Sequence, residues 1–114
     1  MRQRQDHRDL FPGALEMMIL QTLRAGPLHG YAIAQQIMAA SDALLRIEEG
    51  SLYPALQRML KVGLVEANWG MSSKNRRVRL YTLTPEGSRH LEHEVSRLEQ
   101  MLTGVTRVLA LARP

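Results

Sequence analysis

A mainly α-helical chain with one small β-hairpin, closed by a long terminal helix, is predicted by three features of the sequence. Apolar residues recur at helical spacing in three short stretches between residues 13 and 63. The period then shortens to two at Val65, Ala67 and Trp69 and again in Val78–Leu83, with a charged, turn-forming segment between them. Finally, Leu91, Val95, Leu98, Leu102, Val105, Leu109 and Ala112 succeed one another at intervals of 4, 3, 4, 3, 4 and 3 residues, which is a heptad seam.

The chain has 114 residues, enough for one domain that buries roughly two-thirds of its unfolded surface without staples. It holds no cysteine, so disulfides, thiolate metal sites and a cysteine nucleophile are excluded. No apolar run is long enough to span a bilayer and the first ten residues are polar, so a soluble cytoplasmic protein without membrane partners is expected. The formal charge is +4, carried by thirteen Arg and two Lys against eleven acids. Lys74, Arg76, Arg77 and Arg79 fall within six residues, and no Asp or Glu occurs from Asn68 to Pro85. A local excess of that kind favours an anionic partner.

Residues 1–12, with Arg2, Arg4 and Arg8, carry no periodicity and are expected to form a flexible arm. From Gly13, the stripe Leu15, Met18, Ile19, Thr22 and Leu23 predicts a first helix, which Gly26-Pro27 ends. A second helix is expected over Gly30–Ala40, with Ile33, Ile37 and Ala40 inward beside Tyr31 and Met38, and with His29 as a cap or local hydrogen-bonding residue. The connection 41–50 leaves room for a very short strand near Leu45–Glu48.

The third helix begins near Ser51, because Pro54 is tolerated only in a first turn, and Gly50 and Ser51 supply its cap. Leu52, Leu56, Met59 and Leu60 share one side of it; Gln57, Arg58 and Lys61 share the other with Pro54. That polar face suits a DNA major groove, and the same pattern also describes a solvated surface. The hairpin follows with a basic tip. Thr84-Pro85-Glu86 then provides a capping hydroxyl, a proline at the first helical position and an acid at the positive end of the helix dipole. A helix from Glu86 to Ala112 would be roughly 40 Å long, so part of its seam must find apolar surface outside its own fold. A second copy of the chain is the simplest source, with Leu91, Val95, Leu98, Leu102, Val105 and Leu109 at the interface; folding back on the first helix is the alternative.

Three short helices, a hairpin with a basic tip and a long terminal helix make the order of a winged helix-turn-helix, organised as residues 13–84 for the winged unit and 85–114 for a dimerisation helix. In that arrangement the third helix enters the major groove, with Gln57, Arg58 and Lys61 near bases and backbone, while Lys74, Arg76, Arg77 and Arg79 on the wing reach phosphates or the minor groove.

Four motifs in this frame resemble the PadR family of bacterial transcriptional regulators: Gly-Pro-Leu-His-Gly-Tyr-Ala-Ile at 26–33, Glu-Glu-Gly-Ser-Leu-Tyr-Pro-Ala-Leu at 48–56, Gly-Leu-Val-Glu at 63–66 and Tyr-Thr-Leu-Thr-Pro-Glu-Gly at 81–87. The likeness spans residue 13 to about residue 90, and the single terminal helix is similar to the family's compact branch. It implies a homodimeric repressor on double-stranded DNA with an inverted-repeat operator, the terminal helix of one subunit packing on the first and last helices of the other. It also implies that Tyr53 takes part in DNA contact with Ser51, Gln57, Arg58 and Lys61 nearby; as a border residue, Tyr53 could instead pack with its hydroxyl outward. Some relatives take a small-molecule effector, and nothing in this sequence specifies one. Trp69 lies on the wing, where it lends no support to an aromatic sandwich between subunits.

Other chemistry is weakly represented. Met17, Met18, Met59 and Met101 suit a core better than a ligand cavity. His90 and His93 near Glu94 lack a third metal ligand, and no nucleophile–base pair, phosphate loop or carboxylate dyad stands at a usable spacing. Neither a cofactor, a metal nor an enzymatic activity is expected. A winged module that binds protein through the same surface is the remaining alternative to sequence-specific DNA binding.

Overall fold

The computed structural model describes residues 13–112; the arm expected at 1–12 lies outside them. The order is α1 (Ala14–Thr22) with a 3-10 turn (Leu23–Ala25), β1 (Leu28–His29), α2 (Gly30–Ala40), α3 (Glu49–Lys61), β2 (Val65–Met71), β3 (Arg77–Leu83) and α4 (Pro85–Leu109). Among the described residues no helix is long and apolar enough to cross a membrane.

The helix α1 is apolar nearly all round, which suits a helix enclosed by others. Leu15, Ile19 and Leu23 are buried as the stripe predicts, but so is Leu20 from outside it, because α1 packs against α2, α3 and α4 together. On α2, Ile33 and Ile37 reach the core. Ala40, expected inward, is exposed in the last turn, and Tyr31 faces solvent, 60% exposed.

The start of α3 differs from expectation. It begins at Glu49, with Ser51 and Leu52 N–H groups both donating to the Glu48 carbonyl at 3.0 Å, so Pro54 is its sixth residue rather than a first-turn one. Neither Gly50 nor Ser51 caps the helix; Glu48 occupies that position without a side-chain bond. The break is tolerated because Gly50 and Pro54 are both exposed, so the carbonyl deprived of its N–H partner faces solvent instead of the core. Leu52, Ala55, Leu56 and Met59 form the buried side.

The hairpin is part of a three-stranded antiparallel sheet in the order β1-β3-β2. The third strand is not at 45–48, which stays unpaired, but at Leu28–His29, opposite Tyr81 and Leu80. Val65 and Tyr81 carry the sheet's inner face into the core.

Thr84 ties α4 to this body. Its hydroxyl accepts from Gly87 N at 2.9 Å and lies 2.7 and 3.0 Å from the carbonyls of Gly63 and Leu64, while Thr84 N donates to Leu64 O at 3.2 Å. Gly87 is buried against the same carbonyl. Leu91 is fully buried in the chain's own core, so it offers nothing to a partner; that member of the expected interface is corrected. Val95 packs on the edge of the core and Leu98 is partly buried. Beyond them the seam emerges: Leu102 and Val105 are each 46% exposed and Leu109 66%. The helix stops at Leu109, leaving Ala112 outside it. Its 25 residues run about 37 Å at 1.5 Å per residue, and the described chain extends 57 × 36 × 21 Å.

Candidate nucleic-acid interface

Successive helical positions four apart lie one above another, so Tyr53, Gln57 and Lys61 form a single exposed row along α3. Pro54 lies beside this row, and the partly buried Ser51 stands on the same edge of the helix as Arg58 but about two turns earlier.

Tyr53 closes the row towards α2. Its ring lies on Gly30, the first residue of α2, so tightly that a Cβ there would stand 2.6 Å from the phenol oxygen and 2.8 Å from the ring. The side chain therefore packs and faces outward at once, remaining 40% exposed. Burial pushes its phenol above the ordinary value, with Glu49 and Tyr81 adding to the shift. At neutral pH it is a neutral donor and acceptor.

A groove of about 830 Å³ opens between the start of α2, the start of α3 and the wing tip. Tyr53, Lys74 and Arg76 of the expected set line it together. So do His29, Tyr31, Gln35 and Gln36, which the sequence reading did not assign to the site. Their signal was available in part: Tyr31 and Gln35 are four apart and diametrically opposed to Ile33 and Ile37 on the helical wheel. Gln35 Nε2 donates to the Tyr31 hydroxyl at 2.7 Å, and the His29 ring stacks on Tyr31 at 6.4 Å between centroids. His29 occupies the cap position of α2 but makes no side-chain capping bond.

The wing tip is held by its own backbone. Ser72 N donates to Arg76 O at 2.8 Å, Asn75 N to Ser72 O at 2.9 Å, and the Ser72 hydroxyl accepts from the N–H groups of Lys74 and Arg76 at 3.3 and 3.2 Å. Asn75 takes the left-handed conformation at φ 61°, which asparagine tolerates better than most side chains. Strand alternation then divides the basic residues. Val78 lines the groove, so Arg77 and Arg79 point to the other face of β3. There the Arg77 guanidinium lies 4.5 Å above the Trp69 indole, and Arg79 is the direct cross-strand neighbour of Trp69.

Arg58 stands apart from both groups. Its Nη2 and Nε donate to Glu16 Oε2 at 2.6 and 3.3 Å, and it borders a space of about 360 Å³ between α1, the end of α3 and α4, beside Gly13, His90 and Glu94. Ser51 is likewise outside the lining of the groove.

The whole arrangement is a helix row whose Tyr53 enters a groove walled by the cationic wing tip, with an uncovered apolar seam at the end of α4. Comparison with known proteins follows the same outline. The sequence model of the transcriptional regulator PadR-like family matches residues 19–93. An uncharacterised protein of Lysinibacillus sphaericus is 30% identical over 87 residues, covering 76% of this chain and 80% of that protein. Among solved structures, a transcriptional regulator from Clostridium thermocellum superposes with a TM-score of 0.77 at 27% identity, over 90% of this chain and 96% of that one. Bacillus subtilis PadR in complex with operator DNA superposes with a TM-score of 0.63 at 25% identity, over 71% of this chain and 47% of that one.

Proposed function

The chain belongs to the PadR-like family of transcriptional regulators, and from that premise we propose that it binds an inverted-repeat operator in double-stranded DNA as a homodimer and represses the adjoining gene. The observation that carries the proposal is that Tyr53, at the head of the exposed α3 row, shares one groove with the wing-tip cations Lys74 and Arg76. In this reading Gln57 and Lys61 approach base edges in the major groove, Tyr53 borders the contact, and Lys74 and Arg76 neutralise phosphates. Arg77 and Arg79, on the other face of the wing, engage the flanking backbone. The operator complex of the Bacillus subtilis relative supports DNA as the partner.

The dimer would form through residues 85–114, mainly from Leu98 onward, where Leu102, Val105 and Leu109 are left uncovered. Residues 13–84 then act as the DNA-binding unit, and its two-fold repetition sets half-sites about one helical turn apart. Release by a small-molecule effector completes the proposal; an effector would act by changing how the two copies of α4 meet.

The test is a titration of the full chain against the intergenic duplex beside its own gene at several salt concentrations. Binding should weaken steeply with salt, and Lys74→Ala and Arg76→Ala should each lower the slope of log K against log salt by about 0.9. Salt-independent binding would overturn the proposal. Retention unaffected by either substitution would favour a winged module that binds protein.

A further inference from the structure

The exposed side of α3 is broader than its central row, and its two flanks are built differently. Tyr53 closes one flank against α2, and Arg58 forms the other, beside α1, about 100° round from Gln57. A helix seated in a major groove about 12 Å wide turns its centre to base edges and its flanks to the phosphates of the two walls. Arg58 therefore stands where a phosphate would be its natural partner. An oxyanion already occupies that role: Glu16 Oε2 takes both Nη2 and Nε of Arg58, at 2.6 and 3.3 Å, from 42 residues away in sequence.

The two side chains are not equally free. The Glu16 side chain is 24% exposed and sits in the first turn of α1, a helix anchored in the core, whereas the Arg58 side chain is 62% exposed. The carboxylate is thus fixed by the scaffold and the guanidinium is held by the carboxylate. An ion pair this exposed adds little to folding stability. Its larger consequence is for the charge that α3 presents: of the two cations in the last turns of the helix, Arg58 and Lys61, one is neutralised before DNA arrives.

We propose that Glu16 withholds Arg58 from DNA, so that the recognition helix meets the duplex with one phosphate contact fewer than its sequence provides. This rests on the operator-binding reading given above. Phosphate contacts carry no sequence information and supply nearly all non-specific affinity. Withholding one lowers the affinity for every duplex by the same factor and leaves base recognition by the central row untouched.

The experiment measures binding of the full chain to two duplexes, the intergenic DNA beside its own gene and a mixed-sequence duplex of equal length, by fluorescence anisotropy across a series of salt concentrations. The proteins are wild type, Glu16→Gln, Arg58→Gln and the double variant, with Glu16→Ala as a second way of removing the carboxylate should the glutamine amide still hold the guanidinium. Matched melting curves establish that each is folded. Glu16→Gln or Glu16→Ala should steepen the slope of log K against log salt by about 0.9 on both duplexes, which is roughly a 3.5-fold additional gain between 200 and 50 mM salt. Arg58→Gln alone should leave the slope at the wild-type value, and the double variant should match it.

Three results would overturn the proposal: an unchanged slope in both Glu16 variants, an equally steep slope in the double variant, or a shallower slope in Arg58→Gln alone. The last would mean that Arg58 already contacts phosphate in the wild type. If the wild-type chain bound neither duplex in a salt-dependent way, the operator-binding reading itself would fall, a different outcome from the other three.

Discussion

Replacing Gly87 with alanine should destabilise the protein, although alanine is the better helix former by close to 1 kcal/mol. A Cβ at Gly87 would stand 2.1 Å from the carbonyl oxygen of Leu64, 3.0 Å from its carbonyl carbon and 2.8 Å from Leu83 Cδ1. Real contacts essentially never fall below 3.0 Å, so the start of α4 must retreat by at least the difference between 3.0 and 2.1 Å. The obstacle is backbone and cannot rotate away. The same Leu64 carbonyl receives Thr84 N at 3.2 Å and lies 3.0 Å from the Thr84 hydroxyl, which in turn accepts from Gly87 N at 2.9 Å. A retreat of that size stretches the two bonds to the Leu64 carbonyl beyond bonding distance, while the Thr84 cap on Gly87 N moves with the helix start. Overpacking costs about 1–3 kcal/mol and each lost bond about 1 kcal/mol, against less than about 1 kcal/mol gained in propensity. The net is about 2–4 kcal/mol, which for a domain of this length lowers Tm by at least about 8 °C. The assay is thermal unfolding by circular dichroism at matched protein concentration, since assembly would make Tm concentration-dependent. Gly104→Ala, on the same helix with nothing within 4 Å of the added carbon, is the internal control and should raise Tm. A Gly87→Ala Tm equal to or above wild type would refute the reasoning.

Two further outcomes follow from the site and the seam. Because the Tyr53 phenol titrates above its ordinary value, chiefly through burial and then through Glu49 and Tyr81, its contribution to stability is complete below about pH 10 and is lost as pH rises through the raised folded value. Tyr53→Phe should flatten that alkaline loss in urea midpoints measured above about pH 9, and superimposable pH profiles would contradict it. In the seam, Leu102→Glu places a carboxylate on a 46% exposed position that a second copy would cover. The cost is on the order of 3 kcal/mol, more than a hundredfold in dissociation constant, and sedimentation equilibrium should show monomers. An unaltered mass distribution would put the interface elsewhere.

Much of this molecule was legible in its periodicities. The α2 boundaries, the wing strands, the Thr84-Pro85 start of α4 and the buried side of α3 all follow from local spacing and capping chemistry, because each is decided within a few residues of chain. The start of α3 was misplaced because a proline rule for helix interiors was applied where the affected backbone is exposed. The strand Leu28–His29 was missed because two residues have no period; it exists only through its pairing with Tyr81 and Leu80.

What the sequence by itself determined, then, is which elements form, the basic character of the wing and the apolar seam of the last helix. Periodicity identifies a face without naming what covers it. Tertiary structure alone decided that Leu91 belongs to the chain's own core while Leu102, Val105 and Leu109 stay uncovered, since one heptad pattern serves either fate. It alone brought Tyr31, Gln35 and Tyr53 to the same groove as Lys74 and Arg76. It also set Arg58, which shares the polar face of α3 with Gln57 and Lys61, against a carboxylate 42 residues away. Charge pairing across that distance depends on how helices pack, and no local pattern encodes it.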